Sequence, residues 1–159
     1  MKKWIVTCSL IFFLVLIGVS VYAYQSIQMP LYDQFDRASA YATANELTMI
    51  NHIDYYYGTE AYYIVNGKNE ENEEVIFWIN EDFTSHHVEK STDGITSEKA
   101  LAIVQKEVNI ARVLSVRLGI ERDLPIYEVT YINDQNSQGY YYLTFRDGTF
   151  MKRYQLRTD

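Results

Sequence analysis

From Trp4 to Tyr24 the chain runs for 21 residues without a charge, WIVTCSLIFFLVLIGVSVYAY, and a segment of that kind has few places to go. Wound as a helix at ~1.5 Å per residue it is ~31 Å long, about the hydrocarbon thickness of a bilayer. Trp4 stands at one end and Tyr22 and Tyr24 at the other, where amphipathic rings prefer the interface. Lys2 and Lys3 precede the segment, and the first charges after it are Asp33 and Asp36. The positive-inside rule then predicts a single-pass anchor in the cell membrane, with the N-terminus cytoplasmic and residues 25–159 outside. A cleaved signal peptide is the competing reading, with Val21-Tyr22-Ala23 as its cleavage site. An apolar core from Trp4 to Val21 exceeds the ~7–15 residues that such a peptide uses, which favours retention. The one cysteine, Cys8, reads as an apolar thiol within this segment. The exported part therefore has no cysteine for a disulfide, a zinc cluster or an iron–sulfur site, which points toward a Gram-positive surface.

The whole chain carries 14 basic and 21 acidic residues, net −7. No basic face is available to neutralise phosphates, so nucleic acid is excluded as a partner. The charge is unevenly spread, at −10 over residues 25–93 and +1 over 94–159, and the shift falls at the turn-rich Ser91-Thr92-Asp93-Gly94. Three segments are expected: 1–24 as cytoplasmic tip and anchor, 25–93 as a first module, and 94–159 as a second.

The first module opens with a helical pattern over Leu31 to Ile50, with Phe35, Ala38, Ala42 and Met49 on one side. Continuity with the anchor is one alternative for this helix, and Pro30 argues for the other, a break or kink. Strands are expected at Ile53–Tyr57, Ala61–Val65, Glu74–Ile79 and His86–Glu89, with Asn66–Glu73 as a polar link opened by an Asn-Gly turn signal. The second module repeats the plan. Thr96 is placed to cap a helix, Glu98 suits its positive end, and Leu101, Val104 and Val108 form a buried stripe beside Ala100. The period then switches to two, through Leu114–Ile120, Tyr127–Tyr131 and Tyr141–Phe145. Asp147-Gly148 predicts a tight type I′ hairpin pairing Phe145 with Phe150 and Tyr141 with Tyr154. The fold class is α+β: an N-terminal transmembrane helix, then two small modules of one helix on an antiparallel sheet.

Little in the sequence points to catalysis. There is no Gly-x-Ser-x-Gly, no Ser-x-x-Lys and no exported cysteine nucleophile. His86 and His87 are adjacent on a strand and point to opposite faces, so their rings do not converge on a metal. The run Glu70, Glu71, Glu73, Glu74 lacks the spacing of a calcium loop. No cofactor or metal is expected, and the chain is read as a non-enzyme. The candidate protein-binding face is the side of the second sheet away from its helix, where Arg117, Tyr142 and Arg153 are expected together, with Tyr142 directly across from Arg153. That face has three possible fates: solvent, the first module, or a partner.

The segments Gly94-Ile95-Thr96-Ser97-Glu98-Lys99-Ala100, Ile126–Tyr131 and Tyr142–Phe150 resemble a PepSY-type module. With the anchor and a preceding helix-plus-sheet half, nearly the whole chain resembles the TseB-like cell-wall elongation regulators, small membrane-anchored proteins with two cystatin-like modules. That resemblance brings no catalytic residues. It implies an extracellular protein partner of the penicillin-binding class that the chain binds and modulates. The alternative is an inhibitor or modulator of an extracellular peptidase, since PepSY-like modules resemble protease propeptide elements. A small carboxylate hydrolase ranks last.

Overall fold

The computed structural model describes residues 2–156, with backbone only for 2, 3, 5–11 and 21–32. It divides into two compact units, Met1–Arg37 and Ala38–Asp159, each described by itself; the second contains both sheets. Helix α1 spans Lys2–Ala44. Of the two alternatives at Pro30 the helix takes the continuous one, running through the proline without interruption. The helix also stops before Ile50. The amides of Asn45 and Leu47 both return to the Ala42 carbonyl at 3.1 Å, and Glu46 takes φ 86°, which closes the last turn. Among the described residues no helix is long and apolar enough to cross a membrane. Within Trp4–Tyr24 the described side chains, those of Trp4 and 12–20, are all exposed, and the side chains of 5–11 and 21–24 lie outside the described residues.

Strands β1 (Met49–Tyr57), β2 (Ala61–Lys68), β3 (Glu74–Asn80) and β4 (His86–Lys90) form one antiparallel sheet in chain order. Met49 and Ile50, assigned by pattern to the helix, begin β1. Asn66-Gly67 is strand rather than turn. A Cβ on Gly67 would lie 2.2 Å from both Leu47 Cδ2 and the Met49 carbonyl oxygen, so this glycine serves close approach of the crossing chain. The turn comes later, over 69–73, where Asn72 takes φ 61°. Both faces of β2 and β3 are buried. On one face Tyr41 of α1 meets Phe83 and His86, and these stack on Tyr63 and Phe77.

A 3-10 turn at Ser91–Asp93 leads to α2 (Ser97–Glu107). The Thr96 side chain accepts from the Lys99 amide at 3.2 Å, the expected cap. Strands β5 (Ile110–Glu121), β6 (Leu124–Asn133), β7 (Gln138–Thr144) and β8 (Phe150–Leu156) form the second antiparallel sheet. Its helix side buries Tyr127, Val129, Tyr131, Tyr141 and Leu143 around Ala100 and Val104 of α2. Leu114 is not among them. A bulge between Val113 and Ser115 slips the alternation, so Val113 pairs with Tyr131 while Leu114 stays exposed.

The type I′ hairpin lies elsewhere than expected. Arg122 and Asp123, with φ 51° and 61°, make the two-residue turn between β5 and β6. Asp147 does not share the positive φ of Gly148. Residues 145–149 form a wider loop, with the Gly148 amide on the Thr144 carbonyl (3.0 Å) and Asp147 Oδ1 accepting from the Thr149 amide (3.0 Å). One extra residue, Met151, then enters β8, so Leu143 pairs with Phe150, Tyr140 with Tyr154 and Tyr141 with Arg153.

Candidate functional site

The side of the second sheet away from α2 does not lie open over most of its width. The inward residues of the first sheet, Tyr56, Tyr62, Ile64, Ile76 and Trp78, join one hydrophobic cluster with Ile126, Tyr142 and Phe145 of the second. Gly119, facing this seam in β5, leaves room for a ring: a Cβ there would lie 2.6 Å from Tyr56. Tyr56 is only 2% exposed, and burial followed by the nearby Glu128 charge pushes its hydroxyl far above the ordinary tyrosine range. At the end of the sheets Phe145 sits edge-on to Trp78, ring centroids 5.5 Å apart.

Polar contacts fasten the same seam. Arg117 Nη2 donates to the Tyr55 carbonyl and lies 3.3 Å from Asp54 Oδ1. The Thr59 hydroxyl donates to Glu121 Oε1, and Lys152 donates to Glu121 Oε2. Glu121 is 5% exposed, so this is a paired buried charge whose ammonium is pulled below its usual range by desolvation. Arg146 Nη2 from the 145–149 loop donates to both oxygens of Glu89 at 2.9 and 3.0 Å, and His87 Nε2 lies 3.1 Å from the same carboxylate. Burial raises the Glu89 carboxyl, but the His87 and Arg146 contacts outweigh it and hold the pKa below the ordinary range.

The three candidate residues are thereby separated. Arg117 and Tyr142 lie at the seam between sheets. Arg153 stands on the α2 side, across from Tyr141, because Met151 shifts the register. The cation across from Tyr142 is Lys152, 4.5 Å from the ring centroid. Burial first, then a hydrogen bond to Glu128, drives the Tyr142 hydroxyl far upward. Sequence reasoning did not single out Tyr56, Thr59, Glu121 or Lys152. A glycine inside the alternating β5 pattern, Gly119, was the available signal of close approach. Elsewhere His86 Nδ1 lies 3.0 Å from the Tyr41 hydroxyl, and among the described residues no three His, Cys, Asp or Glu side chains are grouped to hold a metal.

These features define a class: a tandem-sheet protein whose two modules are joined through a shared aromatic core. Comparison with known proteins adds two family-model matches and two relatives. Residues 37–80 match the model of the cell wall elongation regulator TseB-like domain, and residues 94–154 that of the peptidase propeptide and YPEB domain, PepSY. The chain is 26% identical over 144 residues to a curated Bacillus subtilis (strain 168) protein named "Probable cell wall elongation regulator TseB", covering 89% of each. The solved structure of the YpmB protein from Bacillus subtilis superposes with a TM-score of 0.72 at 24% identity, over 76% of this chain and 96% of that one. Together these matches support the TseB-like family.

Proposed function

We propose that this protein is a non-catalytic, membrane-tethered regulator that binds a cell-wall synthesis protein outside the cell. The observation that carries the reading is the match to a probable cell wall elongation regulator over 89% of both chains. The tether is residues 4–24, by length, lack of charge and the flanking lysines. The exposed apolar side chains from Phe12 to Val19 suit lipid contact. The partner proposed is a synthase of the penicillin-binding class. A second reading has one observation in its favour: the 94–154 match is to a module described as a peptidase propeptide, so modulation of an extracellular peptidase is the rival.

Crosslinking in intact membranes followed by capture of the full chain separates them. A captured species that takes a fluorescent penicillin supports the synthase reading. Capture of a peptidase, with no penicillin-labelled species, supports the rival and removes the first.

A further inference from the structure

Four strands end a sheet in this protein, and an edge strand offers a row of unmet backbone donors and acceptors. Three of the four are blunted. β1 and β5 carry irregular registers, after Ile50 in one and at two places in the other, which bend the strand away from a flat edge. β4 has five residues, and its Glu89 is held by His87 and Arg146. β8 differs. Its one irregularity falls at Met151, and residues 152–156 then run in register with 142–138. Along it Phe150, Tyr154 and Leu156 are 55%, 53% and 55% exposed.

A groove adjoins this edge. α2 packs chiefly over β5 and β6, and a recess is left between its Ile103–Glu107 side and β8. The resulting concavity of about 450 Å³ is lined by Ile103, Tyr141 and Phe150, with Glu107 and Arg153 on its walls. Arg153 is exposed and makes no ion pair among the described residues, whereas Lys152 on the other face is already paired with Glu121. An incoming strand would thus meet backbone partners, an apolar groove and one free cation.

We propose that β8 is a docking edge that takes an extended, carboxylate-bearing segment of a partner protein as a fifth strand of the second sheet. This rests on the reading that the protein acts by binding another. A second copy fits less well, since an antiparallel β8–β8 pair centred on Tyr154, the middle of the regular part, sets Arg153 against Gln155 and gives it no carboxylate.

The test uses the full chain in lipid nanodiscs and amide hydrogen exchange. The probes are short synthetic peptides of alternating Thr and Val, one form carrying two Glu and the other two Lys. The Glu peptide is expected to slow exchange across 150–156 by about ten-fold when present at about ten times its dissociation constant. The Lys peptide is expected to leave those amides unchanged, and Arg153→Glu, an exposed change, to reverse the preference. Protection absent from β8, or equal with both peptides, overturns the proposal. Protection of β8 that rises with protein concentration alone also overturns it, in favour of a second copy. Peptide docking lost while penicillin-labelled capture survives removes the edge and spares the functional reading; the opposite pattern does the reverse.

Discussion

Removing the Phe145 ring is the sharpest probe of how the two modules hold together. The residue is 1% exposed, with Trp78 at 5.5 Å on the first sheet and Tyr127 at 6.0 Å on the second. Behind it lies Gly94, where even a Cβ would sit 2.3 Å from the ring, so backbone closes that wall. Large aromatic walls and backbone relax little into a void. Phe145→Ala is therefore expected to cost about 3–5 kcal/mol, the range for buried Phe→Ala changes. At roughly 3–5 °C per kcal/mol for a body of this size, the melting temperature falls by about 9–25 °C. Hydrogen exchange localises the loss. If the seam makes one cooperative unit, amides of β2 and β3 lose protection by the same factor as those of β6 and β7. Loss confined to the second sheet, with β2 and β3 unchanged, would refute the shared-core reasoning.

Three further outcomes are expected. Gly148→Val places a β-branched residue at φ 75°, with its Cβ 2.5 Å from Ile103 Cδ1, and should destabilise by at least about 1–2 kcal/mol in a thermal melt. The pair Arg117→Ser with Tyr142→Ser should lower the melting temperature, because both side chains sit at the seam; an unchanged melt would mean the seam does not depend on them. The Glu89 cluster gives stability a pH dependence. Its folded pKa is depressed, so its contribution is fully present above the ordinary glutamate range and is lost as pH falls through the lower folded value. Arg146→Leu should flatten that acid limb in melts taken across the range, and an identical limb in the variant would contradict the assignment.

Local signals carried much of the architecture. The Thr96 cap, the four first-sheet strands and the alternation of β6 and β7 are all readable, because each is set by neighbours within a few residues. Register is not. A single added residue at Met151 moves Arg153 to the other face and puts Lys152 against Tyr142, and a bulge at Leu114 does the same in β5. The seam was equally hidden. Tyr55, Tyr56 and Tyr57 are identical by composition, and only the packing of a second sheet makes Tyr56 the buried one. The Asn66-Gly67 pair misled for a related reason: a glycine required by close approach looks the same in sequence as one required by a turn.

The most direct test of the functional account is a rate measurement. Full-length protein in nanodiscs is added to a purified, membrane-embedded synthase of the penicillin-binding class, and both glycan polymerisation and crosslinking are followed, with the protein alone as a control. The account predicts no turnover by the protein alone and a saturable change in the synthase rate as it is titrated. Turnover by the protein alone, or a synthase rate indifferent to its saturating presence, would contradict it.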